Sequence, residues 1–99
     1  MKSRYTILLE YNGGTYISQV ISCDELMAVS EWLDVIVKQN IFKKNTKRFV
    51  RAVQRAMADS SPGPLEGLFS VWCQGLIFAD KLALINIVKC EDLIGSESR

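Results

Sequence analysis

Histidine is absent from these 99 residues. Its absence removes the side chain that most often acts as a general base near neutral pH, and the commonest metal ligand. Neither a Ser-His-Asp nor a Cys-His nucleophile system can be assembled within one chain. Long apolar runs are missing as well. The longest span only a few residues, as in Leu82-Ala83-Leu84-Ile85, whereas a membrane-spanning helix needs about twenty. No membrane partner is expected. The opening Met1-Lys2-Ser3-Arg4-Tyr5 passes straight into a strand-like alternation. It lacks the apolar stretch and cleavage site of a secretory signal, so the cytoplasm is the expected location.

The three cysteines, Cys23, Cys73 and Cys90, show no C-x-x-C spacing. Their odd number and apolar surroundings predict buried, reduced, structural thiols. Cys23 comes closest to a reactive environment because it falls near the first turn of a helix. Neither a G-x-x-x-x-G-K-[ST] nor a G-x-G-x-x-G pattern occurs. Gly13-Gly14 lies between two strand-like segments, so it is read as a turn and not as a phosphate cradle. The adjacent acids Asp24/Glu25 and Glu91/Asp92 are read as a helix start and a strand end. No catalytic, cofactor-binding or metal-ligating residue is nominated, no cofactor is expected, and the protein is not expected to be an enzyme.

What is present is a moderately apolar chain, 48% hydrophobic and 23% charged, with a net charge of +1. That size suits one domain, able to bury roughly two-thirds of its unfolded surface without a disulfide or metal. The domain is expected over residues 1–94, with a polar, frayed tail over 95–99.

Residues 4–11 alternate, with Tyr5, Ile7, Leu9 and Tyr11 on one face and Thr6, Leu8 and Glu10 on the other. Asn12-Gly13-Gly14 signals a hairpin, and Thr15 to Ile21 is the return strand. A two-residue loop would put Tyr16, Ser18 and Val20 on the Tyr5 face, and a three-residue loop would put Ile17, Gln19 and Ile21 there. Ser22-Cys23-Asp24-Glu25 fits a capping box with Ser22 as N-cap. The helix it opens runs to about Gln39, with Leu26, Val29, Trp32, Leu33, Ile36 and Val37 on its apolar side. Ile41 and Phe42 are read as buried anchors in the connection. A second helix starts near Asn45 or Thr46 and ends by Asp59, before Ser60-Ser61-Pro62-Gly63-Pro64. A strand from Leu68 to about Gln74, a turn at Ala79-Asp80-Lys81 and a last strand from Leu82 to Cys90 complete the chain. The last strand is apolar on nearly every residue, as central strands are.

The fold expected is α+β. Two hairpins form a four-stranded antiparallel sheet, with two helices between them (ββααββ) packed on one face. The other face would be open and apolar, carrying some of Leu8, Ile17, Phe69, Val71, Ile85 and Ile87. A patch of that kind is commonly an interface. Leu8, Ile17, Ile85 and Ile87 are nominated for self-association, and a dimer is the expected state.

Charge is segregated. From Lys38 to Arg55 there are basic residues and no acid. On a helical wheel Lys44, Lys47, Arg48, Arg51 and Arg55 fall within an arc of about 100°. Three roles are open for this stripe: a solvated or intramolecularly paired face, a dock for an acidic protein, or a contact for phosphates. Nucleic acid is the least favoured, since the net charge is near zero and no aromatic interrupts the stripe. The tyrosines and tryptophans are assigned to packing.

Gly13-Gly14, Tyr16-Ile17-Ser18-Gln19-Val20, Trp32-Leu33, Leu65-Glu66-Gly67, Val71-Trp72-Cys73 and Leu82-Ala83-Leu84-Ile85-Asn86-Ile87-Val88 together resemble a family of small bacterial proteins with no assigned function. That resemblance covers most of the chain and implies no activity. Residues 4–37 alone, as strand, glycine turn, strand and helix, are similar to the start of HicB-like antitoxins. The chain departs from that pattern: a proline-glycine-cysteine segment and third strand are missing after Val20, and a basic helix replaces the return strand. The combined expectation is a non-catalytic interaction domain that self-associates; the alternative is a nucleic-acid-binding or antitoxin-like regulator using the basic helix.

Overall fold

The computed structural model describes residues 2–90. The expected domain end at 94 and the tail at 95–99 lie outside the described residues. Two antiparallel strands come first, β1 (Ser3–Tyr11) and β2 (Gly14–Ser22). Helix α1 (Glu25–Gln39), a 3-10 turn (Lys43–Asn45) and helix α2 (Thr46–Asp59) follow. The two-residue strand β3 (Gly63–Pro64) precedes β4 (Val71–Phe78) and β5 (Lys81–Lys89).

The expectation of four strands in a ββααββ order is corrected here. The sheet has five antiparallel strands in the order β2-β1-β5-β4-β3. The extra one is Gly63–Pro64, which pairs with Cys73 and Trp72. Glycine and proline are types that usually end structure, yet proline is tolerated on a sheet edge. The strand expected from Leu68 to Gln74 also shifts, beginning at Val71 and continuing to Phe78. Leu68 and Phe69 belong to the β3–β4 loop, where the Leu68 N–H donates to the Leu65 carbonyl.

The first hairpin closes with Tyr11 opposite Gly14, so its loop is the two residues Asn12 and Gly13. Both have positive φ, 50° and 82°, the combination demanded by the favoured hairpin turn. That parity sends Tyr16, Ser18 and Val20 to the Tyr5 face. The second hairpin repeats the geometry at Ala79 (φ 51°) and Asp80 (φ 65°), without a glycine. The left-handed region costs a residue with a Cβ roughly 1–2 kcal/mol.

Helix α1 starts two residues later than the capping box implies. Asp24, not Ser22, is the N-cap, and its carboxylate accepts the Met27 N–H at 2.8 Å. Ser22 is still in β2 with its side chain buried. The helix ends on Asn40 in the left-handed conformation (φ 53°), whose N–H returns to the Ile36 carbonyl. Buried Thr46 ties the two helices, its hydroxyl reaching Asn40 Oδ1 (3.1 Å) and the Lys43 carbonyl (2.7 Å).

Both helices cover one face of the sheet, α1 over the β2 side and α2 over β4. Tyr5, Ile7, Leu9, Ile85 and Ile87 meet Val29, Trp32, Ile36, Phe49 and Val53 there. An aromatic cluster anchors α2. Phe49 stacks on Phe42 (centroids 4.1 Å apart, 17° between planes), and Phe78 meets Phe49 edge-on at 5.3 Å. The Tyr11 hydroxyl closes the cluster by donating to the Phe78 carbonyl at 2.8 Å. Ile41 and Phe42 are half-buried against this core.

Candidate functional site

The sheet parity and the helices create two surfaces with side chains unpartnered among the described residues. The first is the face of the sheet turned away from the helices. Register places Leu8 beside Ile17 on one side and Asn86 on the other, with Cys73 next in the row. Parallel rows carry Gln19, Thr6, Val88 and Val71, then Thr15, Glu10, Leu84 and Gly75. Leu82 and Ile77 pair at one end. Ile17, Ile77 and Leu82 are 63%, 66% and 55% exposed.

Leu8 and Ile17 therefore sit together on the open face, as nominated. Ile85 and Ile87 do not. Both are fully buried beneath the helices, because they share parity with Leu9 and Ile7, their β1 partners. In a strand apolar on both sides, only the register decides which residues are covered. Leu84 and Val88 take their places on the open face, and β5 is the central strand. Val71 is on the open face, whereas Phe69 lies in the loop at 95% exposure and belongs to neither face.

The open face carries only two charged side chains among the described strand residues, Arg4 and Glu10, at opposite ends of β1. Their spacing is about 20 Å at the rise of an extended strand. Their place follows from the alternation of β1 alone, which puts Arg4 and Glu10 opposite Tyr5, Ile7 and Leu9.

The second surface is the crest of α2. Lys44, Lys47, Arg48, Arg51 and Arg55 are all exposed, and the helix has no acid before Asp59. Arg48, Arg51 and Arg55 line one shallow depression of about 250 Å³ with Ala52 and Phe78. Lys44 precedes the helix in the 3-10 turn. The floor is apolar and the rim is guanidinium, a geometry suited to oxyanions because each guanidinium offers a planar fork of donors.

Beside that depression runs an open stretch of sheet edge. The Lys89 N–H reaches the Ser70 carbonyl at 2.9 Å, so β4 bonds β5 through its even-numbered residues and turns the odd-numbered backbone outward. Gly63 pairs with Cys73, and the Leu65 N–H takes the Val71 carbonyl at 3.0 Å. Gly75 and Ile77 have no strand beside them among the described residues.

The thiols depart from expectation. Cys23 is exposed, one residue before the N-cap, while Cys73 and Cys90 are half-buried. The Cys90 sulfur lies 3.2 Å from Thr6 Oγ1. Burial, then Glu10, pushes the Cys73 thiol above its ordinary pKa, which keeps it protonated and unreactive near neutrality. Burial, followed by Glu25 and Asp24, likewise raises the Tyr5 hydroxyl. Among the described residues no group of three or more Cys, Asp or Glu side chains could hold a metal. No helix is long and apolar enough to cross a membrane. No family model, curated protein or solved structure matches the chain.

Proposed function

We propose that this protein is a non-catalytic interaction domain that associates with a second copy of itself through the open face of its sheet. The observation that carries this reading is the makeup of that face. Leu8, Ile17, Leu82, Leu84 and Ile77 are uncovered on one surface, and contiguous apolar patches of this kind mark interfaces. Its two charges support a second copy as the occupant. A two-fold axis crossing β1 at Ile7 lays Arg4 of each copy over Glu10 of the other. Face-to-face sheets pack with their strands within about 30° of aligned, about 10 Å apart, which is compatible with that axis. The helices would then lie on the two outer sides, leaving both α2 crests in solvent.

The test is light scattering across a concentration series, at low and high salt. A dimer that persists in high salt is expected, since burial of apolar area dominates and the two ion pairs lie at the rim. Ile17→Lys should give a folded monomer. Arg4→Glu should weaken the dimer, and adding Glu10→Arg should restore it. A wild type that stays monomeric at hundreds of micromolar, or an Ile17→Lys dimer of unchanged strength, would sink the proposal.

A further inference from the structure

We propose that the free edge of β4 beside α2 is a docking site for an extended, acidic peptide segment of a partner protein, added as a short strand. Strand addition needs an edge with unused backbone donors and acceptors. Gly75 and Ile77 provide that edge: among the described residues neither has a strand partner, and the Gly75 carbonyl meets only the Gln74 side-chain amide, at a long 3.3 Å. Since β3 stops beside Cys73 and Trp72, the free stretch is short and its near limit is fixed.

Charge chooses the occupant. Arg48, Arg51 and Arg55 overhang the depression at the Phe78 end of this edge. Parity then fixes where the partner's acids fall. A residue paired opposite Gly75 or Ile77 shares their side of the sheet, the open face. Opposite Ile77, its two neighbours in the added strand point to the helix side, toward the arginines; at Gly75 only the neighbour toward Leu76 does, because the chain enters β3 at Pro62, just before the Gly63–Cys73 pair. The segment recognised is thus acidic on alternate residues, with small or β-branched residues between. The other sheet edge, β2, makes the contrast: it carries no charged residue from Gly14 to Ser22, so it offers no selection for acids. Nucleic acid fits the same cations less well. Phe78, the one aromatic in the depression, is 7% exposed and offers no face for base stacking.

A ten-residue peptide alternating glutamate and threonine tests this by titration calorimetry. Binding is expected, weakening as salt rises, and at least tenfold weaker for Arg48→Glu with Arg51→Glu. Two N-methylated versions separate strand addition from simple charge attraction without altering the protein. Methyl groups on the threonine nitrogens should abolish binding, because in a strand added antiparallel, as β3 is, those N–H groups pair with β4. Methyl groups on the glutamate nitrogens should leave it intact, because those point away. Absence of binding at millimolar peptide, equal binding of the two methylated peptides, or no loss in the double-glutamate variant overturns the proposal. So does tighter binding of a single-stranded oligonucleotide than of the peptide.

Discussion

Along β1, Tyr5, Ile7 and Leu9 are at most 2% exposed, while their neighbours Thr6 and Leu8 are half-buried and Arg4 and Glu10 are exposed. The two sets share a backbone, and both contain large apolar side chains. What differs is coverage: α1 and α2 lie over one set, and among the described residues no element lies over the other. The lesson extends to β5, where Ile85 and Ile87 are fully buried and the equally apolar Leu82, Leu84 and Val88 face outward. Apolar character makes a residue fit for burial; turn parity decides which half of the sheet receives it.

The same substitution should act differently on the two faces. Ile87→Lys would strand an unpaired ammonium in the core, at a loss of more than about 4 kcal/mol, and should leave no cooperative thermal transition at physiological temperature. Ile17→Lys should move the folding free energy by no more than about 0.5 kcal/mol while changing the assembly state. Equal thermal losses from the two would mean the faces are not inequivalent.

The covered face has flaws that substitution can repair. Gln74 is 6% exposed there, and its Oε1 has no hydrogen-bond partner. Its amide reaches only the Gly75 carbonyl, at 3.3 Å. Gln74→Met keeps the volume and removes the orphaned oxygen, and should stabilise by about 1–2 kcal/mol in chemical denaturation. Ala79→Gly addresses the turn that fixes the parity of β4 against β5. It relieves a Cβ held at positive φ and should add about 1 kcal/mol by the same measurement.

The smallest effect is chemical. With a thiol-specific disulfide reagent at pH 8, exposed Cys23 should react fastest and Cys73 slowly. Burial, and then Glu10, holds the Cys73 pKa up; Glu10→Gln removes the lesser of the two causes, so it lowers the pKa somewhat, raises the thiolate fraction and speeds the Cys73 reaction. Association through the open face should slow Cys73 further at high protein concentration and leave Cys23 unchanged.

Much of this architecture is legible in the residues. Asn12-Gly13 announces its turn, and the helical period and Pro62 place the end of α2 at Asp59. The basic crest is visible from a 100° wheel alone. Other features are not legible, for physical reasons. Ser22 and Asp24 are both competent N-caps; β2 runs on to Ser22 and turns its side chain inward, which leaves Asp24 free to cap. Gly63–Pro64 becomes a strand only because β4 supplies a partner. The run from Leu82 to Cys90 is broken only by Asn86 and Lys89, which fall on opposite faces of the strand, so the parity of β5 has no consistent signal and Ile85 and Ile87 are indistinguishable from Leu84 and Val88. The free edge at Gly75 and Ile77 depends on where β3 stops, which is a tertiary fact.

The placement of β5 beside β1 has a mechanical consequence. Tyr5 lies opposite Lys89, and the Cys90 N–H reaches the Arg4 carbonyl at 2.8 Å. Tension applied at Ser3 and Lys89 would load this central ladder at one end, opening its hydrogen-bonded pairs one after another like a zip. The same ladder pulled from Tyr11 and Lys89 would be sheared, with its pairs loaded together. One sheet should therefore yield at low force in the first direction and resist in the second, although its equilibrium stability is the same in both.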